Sequence, residues 1–339
     1  LIILFAIPLM LGNICQQLYT MVDTMVVGQV AGVEALAALG AVDFLMWVVT
    51  GISTGLTQGF SIQLSQYYGA KDFENLRKSL AHSYRLTAFI AAGVLILSQS
   101  FASLVLTGLH TPSNIIGMSL LYLRIIFCGI PATAAYNMFA SALRAMGNSK
   151  TPLTAMIIAS VLNVSLDILF VAGFGWGVAG AAIATVIAQS FSAVYCFLIL
   201  RRIDIVHLTR ADFMPASGMN ARLMKLGIPV VFQNIIIGVG GLVVQYVING
   251  YGFLFVAGFT ATNKLYGLLE MAAISYGYAI VTYVGQNLGA GKIDRIRKGV
   301  RSSMLLSLLT SLIISAAMFL FGKNILSLFI SGEPQQTQQ

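Results

Sequence analysis

Charge is what this sequence has least of. Only 9% of its 339 residues are Asp, Glu, Lys or Arg, while 58% are hydrophobic, and the mean hydropathy is +0.88. A soluble domain of that composition would expose apolar surface it could not hold in water, so that class is excluded. Cysteine and histidine are also scarce, with three of each. Cys15, Cys128 and Cys196 stand far apart in apolar segments, with neither metal-ligand nor disulfide-framework spacing. They read as inert buried thiols. His82, His110 and His207 fall in or beside loops and read as solvated side chains. The chain shows no His-rich helix, no suggestive Ser/Lys pair and no phosphate-cradling loop, so a membrane-embedded enzyme lacks its chemistry. No cofactor is expected.

Long apolar runs fill the space that charge leaves. Nine of them are each long enough to cross a bilayer as helix, at residues 1–28, 35–67, 80–106, 114–144, 152–172, 178–200, 222–248, 254–287 and 299–321. A closed barrel would need short segments of alternating polarity, and these runs are continuous. The fold class is therefore an all-α membrane protein. Thirty-three glycines, in runs such as Gly51-Ile52-Ser53-Thr54-Gly55, supply small faces for close helix packing.

The formal charge of +8 is a topology signal rather than a nucleic-acid footprint, because the basic residues cluster in alternate loops. Lys71, Arg77, Lys78 and Arg85 follow the second span, Arg144 and Lys150 the fourth, Arg201, Arg202, Arg210, Arg222 and Lys225 the sixth, and Lys292 to Arg301 the eighth. The loops after spans one, three, five and seven contain no Lys or Arg. The positive-inside rule places the even-numbered loops in the cytoplasm.

The chain also repeats itself. Gly69-Ala70-Lys71-Asp72-Phe73-Glu74-Asn75-Leu76-Arg77-Lys78 returns in altered form as Gly289-Ala290-Gly291-Lys292-Ile293-Asp294-Arg295-Ile296-Arg297-Lys298. Gln66 has its counterpart in Gln286, and Ile7-Pro8 in Ile228-Pro229. Two parallel copies of one helical unit are implied, the pattern from which transporters build two lobes around a central site. The expected domains are an N-lobe of six spans over 1–200, a polar, basic cytoplasmic connector over 201–220 and a C-lobe of three spans over 221–339. Because the second copy stops after its third span, and because Leu1 opens inside an apolar run, residues are expected beyond both ends.

An acid in the hydrocarbon region costs roughly 3 kcal/mol and needs a reason. Asp23, Asp43, Asp167 and Glu270 qualify. Asn163 and Asp167 are four apart and share a helix face. Counting from the span ends at 1.5 Å per residue puts Asp23, Asp167 and Thr185 at one depth, roughly 10 Å in. Two carboxylates, an amide and a hydroxyl offer hard oxygens that suit Na⁺ and equally suit a proton. Glu270 and Lys264 lie in the eighth span but on different faces, and Glu270 is a candidate for attracting cationic substrates. Asp43 and Arg124 read as interfacial or paired structural charges.

Taken in order, several motifs resemble the multidrug and toxic compound extrusion (MATE) transporters, within the larger group that includes lipid and polysaccharide flippases. They are Pro8 with Gln17-Leu18-Tyr19 and Asp23, Val27-Gly28 with Ala35-Leu36-Ala37-Ala38, Gly69-Ala70, Arg144 to Pro152, Gly175 to Ala182, and Gln286 to Ala290. The resemblance implies two bundles of six helices, of which about nine are present here. It implies a cation site for H⁺ or Na⁺ at Asp23, Asn163, Asp167 and Thr185, with Tyr19 and Asn137 in the nearby network and a first helix able to bend at Pro8. Ile237 stands where some members carry an acid in the seventh span. The implied function is secondary active export of organic, often cationic, compounds from a bacterial cytoplasmic membrane by a monomer, driven by inward H⁺ or Na⁺ flow. The alternative is a flippase for a lipid-linked or polysaccharide substrate, and the acidic intramembrane balance favours cations.

Overall fold

The computed structural model describes residues 2–109, 111–249 and 253–327. Most side chains within 242–272 and 317–327, and those of Val33 and Phe44, lie outside that description. His110 falls outside it too.

Ten α-helices follow in order: α1 (Ile2–Val30), α2 (Val33–Ala70), α3 (Phe73–Gly108), α4 (Ile116–Cys128), α5 (Ile130–Ala145), α6 (Lys150–Asp167), α7 (Gly177–Arg201), α8 (Met219–Asn249), α9 (Phe253–Gly289) and α10 (Ile293–Ser327). A π-helical turn, Ile168–Gly173, continues α6. The fourth expected span is the pair α4 and α5, bent by 46°. Pro131 cannot donate its share of the helix ladder, and Gly129 lets the bend close on α7, where a Cβ would meet Val186 Cγ2 at 2.7 Å. Among the described residues six helices are long and apolar enough to cross a membrane alone, and eight spans result if each of two bent pairs is one crossing.

Helix ends follow local chemistry. Lys71 caps α2 in the left-handed conformation (φ 58°), and Asp72 then accepts from the Asn75 amide at 3.1 Å to start α3. Gly291 occupies the same place after α9, with φ 69°. Glycine takes that conformation without a Cβ penalty, so the repeated loop is one turn made twice.

The two copies meet through equivalent residues. On α8, Gly227 packs its backbone against Gly59 of α2, and Asn234 donates to the Gly51 carbonyl at 3.1 Å. On α1, Ala6 packs with Ala279 of α9, and Asn13 donates to Ser275 Oγ at 3.2 Å. Ala6 and Gly227 each stand two residues before the repeated proline, and Asn13 and Asn234 five after it. Gly59 and Ala279 each stand ten before the repeated Gly69 and Gly289. The pairs α1–α9 and α2–α8 are thus related by a local two-fold, with interhelical hydrogen bonds worth about 1 kcal/mol each in a bilayer.

Between α7 and α8 the chain forms two 3₁₀ turns, Asp204–Val206 and Arg210–Phe213, and is strapped to α3. His82 is buried, not solvated as its sequence position implied. Its Nε2–H donates to the Met214 carbonyl at 3.0 Å. Its Nδ1 lies 2.6 Å from Asn220 Oδ1 and 3.2 Å from the Arg85 guanidinium. His207 is exposed as expected. Of the cysteines only Cys196 is buried; Cys15 is half-buried and Cys128 is exposed, with Gln99 of α3 against its sulfur at 3.3 Å.

His82→Ala removes both partners of the strap at once. The expected outcome is trypsin cleavage after the exposed Arg210 about tenfold faster than in the parent, the effect of losing roughly 1.5 kcal/mol from a local opening equilibrium. An unchanged cleavage rate would show that the strap contributes nothing to holding the connector.

Candidate functional site

Three helices deliver polar side chains to one place inside an apolar bundle. Tyr19, Asp23 and Val27 recur every fourth residue on α1, and all three are buried. Ala155, Ala159, Asn163 and Asp167 do the same on α6. Each series lies along one helix face, so burying the face buries its polar members with its apolar ones. The helix α7 contributes Thr185 and, one turn on, Gln189.

Two hydrogen bonds join these helices. Asn163 Nδ2 donates to Thr185 Oγ1 at 3.5 Å, and Gln189 Nε2 donates to Tyr19 Oη at 3.2 Å. Asp23 is near enough to Asp167 for their charges to interact. Tyr122, buried on α4, has Asp23, Asp43 and Asp167 as charged neighbours. Of the four residues expected from sequence to form the cluster, Asn163 and Thr185 are hydrogen-bonded to each other, and Asp23 of α1 and Asp167 of α6 are buried on helices that pack together.

What distinguishes the cluster is its surplus of acceptors. Asp23 Oδ1, Asn163 Oδ1, both carboxylate oxygens of Asp167 and Gln189 Oε1 are buried and, among the described residues, have no hydrogen-bond donor. A buried acceptor left unsatisfied costs about 1–3 kcal/mol, and more for a charged group. Five such oxygens on three helices are a set that a small cation or a proton would satisfy. Among the described residues no three His, Cys, Asp or Glu side chains gather. The side chains, two carboxylates with neutral amides and a hydroxyl, offer hard oxygens, which suit a hard cation or a proton better than a soft metal.

Asp167 ends α6 at the point where the π-helical turn begins. The wider turn re-phases the backbone beyond the carboxylate, a distortion that recurs at functional sites. Beyond it Phe170 stacks with Phe174 and Trp176, with ring centroids 6.0 and 5.1 Å away. Gly180 of α7 approaches so closely that a Cβ would lie 3.0 Å from Phe170 Cβ. The turn is fixed by packing.

Other sequence candidates lie elsewhere. Asn137 on α5 donates to Thr54 Oγ1 of α2 at 3.3 Å and has no hydrogen bond to the cluster. Pro8 sits within α1, fifteen residues before Asp23. Glu270 is exposed on α9; the Lys264 side chain lies outside the described residues. Asp43 and Arg124 are both exposed. Gln189 and Tyr122 were not found from sequence. Gln189 was legible as the residue one turn beyond Thr185, whereas Tyr122 reaches the cluster only through the packing of α4.

The MatE family model matches residues 8–169 and 229–335, two segments that bracket the connector. The probable multidrug resistance protein YpnP of Bacillus subtilis is 31% identical over 97% of this chain and 74% of its own length. Among solved structures, a MOP superfamily transporter from Pyrococcus furiosus superposes with a TM-score of 0.93 at 23% identity, over 99% of this chain and 75% of that one. A multidrug resistance MATE transporter in its outward-facing conformation gives the same score and coverage. With the family model covering both copies of the repeat, the chain belongs to the MatE family, whose members are multi-pass membrane transporters and not enzymes.

Proposed function

We propose that the protein is a secondary active exporter that moves organic cations out of the cell against inward flow of H⁺ or Na⁺. The observation that carries this reading is the group of five donor-less buried oxygens on α1, α6 and α7. An ion there would neutralise Asp23 and Asp167, satisfy the oxygens and draw the three helices together. Its departure returns uncompensated charge to the bundle, and α1 is the element able to respond. Pro8 removes one rung of its ladder, leaving a place where the helix can bend. Two arrangements of α1, one favoured by the bound ion, supply the differential affinity that coupling requires.

In this reading residues 1–200 form the N-lobe that holds the ion, 201–220 the cytoplasmic connector and 221–339 part of the C-lobe. The basic loops face the cytoplasm of a bacterial cell membrane, and the protein works as a monomer. The organic cation binds between the lobes, where Glu270 offers a negative charge. Similarity to proteins named for multidrug resistance and multidrug export supports the substrate class.

In proteoliposomes, the parent protein is expected to expel a fluorescent organic cation under an imposed H⁺ or Na⁺ gradient, and Asp167→Asn to lose the gradient-driven part by at least about 100-fold, the scale of a coupling energy near 3 kcal/mol. Unchanged gradient-driven efflux in Asp167→Asn would remove the cluster from the mechanism.

The same substitution has an opposite expected effect on stability. Because the Asp167 carboxylate is buried without a donor, Asp167→Asn should raise the unfolding free energy in Na⁺-free detergent by about 1 kcal/mol or more. A lower melting temperature than the parent would mean that the carboxylate is satisfied in the folded protein.

A further inference from the structure

A crevice of about 340 Å³ lies between α3, α5 and α7, and all its lining residues belong to the first copy. The second copy packs mainly on α1 and α2. The rim of the crevice is exposed at Ala88 and Ala92 of α3, Pro131 of α5 and Phe197 of α7. On spans this apolar, such an opening meets lipid rather than water. The crevice also has a direction. The helix α3 leads away from the basic loop 71–78, whereas α5 and α7 lead toward the basic residues at 144–150 and 201–202. Tyr84, Phe139 and Phe197 therefore mark its basic-loop end, and Leu95 and Pro131 its deep end. The three rings touch, with centroids 5.3 Å apart for Tyr84 and Phe139 and 5.2 Å for Phe139 and Phe197. From Tyr84 to Leu95 is roughly 16 Å of helix, and alanines of α3 and α5 line the slot between. Its shape is that of a hydrocarbon chain.

Two polar groups stand at the basic-loop end. Thr24, Thr54, Thr107 and Thr154 each donate their hydroxyl to the carbonyl four residues back. Thr87, a wall residue of the crevice only 8% exposed, does not, and its Oγ1 has no partner among the described residues. A turn about its Cα–Cβ bond exchanges methyl and hydroxyl at the wall. Arg201 is exposed, in the last turn of α7 and one turn beyond Phe197 on the same helix face. We propose that the crevice binds one anionic glycerophospholipid from the leaflet on the basic-loop side, with an acyl chain in the slot, an ester carbonyl accepting from Thr87 and the phosphate held by Arg201. Lipid tails are as apolar as the slot, so chain contact alone selects nothing. Selection comes from the polar end. Thr87 lies three residues deeper than Tyr84 and Arg201 four residues shallower than Phe197, roughly 10 Å apart along the bilayer normal. The glycerol phosphate of one lipid and the long arginine side chain cover that distance together.

The site requires only a bilayer, so its test does not involve export. Purified protein in detergent is equilibrated with equal amounts of phosphatidylglycerol and phosphatidylcholine of one chain composition, and the retained lipids are counted by native mass spectrometry. The parent is expected to retain one phosphatidylglycerol in about fivefold preference, the worth of one basic residue at a membrane surface. Arg201→Gln should bring the two lipids to parity. Lys298→Gln, which removes an exposed charge of the second copy, should leave the preference as it was. Ala92→Phe, which fills the slot from its exposed rim, should lose the retained lipid of either headgroup. Equal retention of both lipids by the parent, an unchanged preference in Arg201→Gln, an equal fall in Lys298→Gln, or full retention in Ala92→Phe would each overturn the site. If Ala92→Phe does not yield folded protein, Thr87→Val removes the hydroxyl at constant shape. It should lower phosphatidylglycerol retention about fivefold, and unchanged retention there would equally overturn the proposal.

Discussion

A carboxylate buried in a membrane-spanning bundle has to be answered by a donor, by a positive charge or by a proton, and the described residues give Asp167 no donor. Both of its oxygens are buried and unbonded, with Asp23 as a charged neighbour. Hydrogen bonds that would ordinarily satisfy such a group are spent elsewhere: Asn163 turns its NH₂ to Thr185, and Gln189 turns its own to Tyr19. Those two amides thereby leave their carbonyl oxygens among the surplus acceptors. The polar side chains are arranged so that the unsatisfied acceptors stay concentrated, which costs folding energy and which an entering cation or proton would relieve in the proposed cycle.

The local two-fold ties that site to the rest of the molecule. The helix α1 carries Asp23 and Tyr19 at one level and, through Ala6 and Asn13, packs on α9 of the second copy. The helix α9 in turn crosses α2 at Gly289. A change in the bend of α1 near Pro8 would therefore bear on the same helix that forms half of the crossing. Ion cluster and crossing are connected by two continuous helices packed against each other, a physical route along which a two-state rearrangement can pass.

Much of this was legible in the sequence, for identifiable reasons. Hydropathy alone located the nine apolar runs, since a membrane demands continuous apolar length from each crossing. The four-residue spacing of Asn163 and Asp167, with a depth count along neighbouring spans, was enough to gather Asp23, Asn163, Asp167 and Thr185 before any coordinates. Features set by close packing were not legible. The bend between α4 and α5 depends on Gly129 meeting Val186, and the π turn after Asp167 on Phe170 meeting Gly180. His82 looked like a loop residue because it lies near the start of α3, and only the return of the connector over that helix buries it. The repeat of Gln66 and Gly69 was visible as a pattern, but the packing of Gly69 on the Gln286 carbonyl and of Gly289 on the Gln66 carbonyl was not.

In the proposed cycle, binding of an organic cation between the lobes and of a coupling ion at the cluster oppose each other through α1, and counting the ions released on substrate binding tests this most directly. Purified protein is titrated calorimetrically with an organic cation in buffers of different ionisation heat and at different Na⁺ concentrations. Release of about one H⁺ or one Na⁺ per cation bound is expected, as reciprocal linkage requires, and none in Asp23→Asn. Tight substrate binding that releases neither ion, in parent and variant alike, would contradict it.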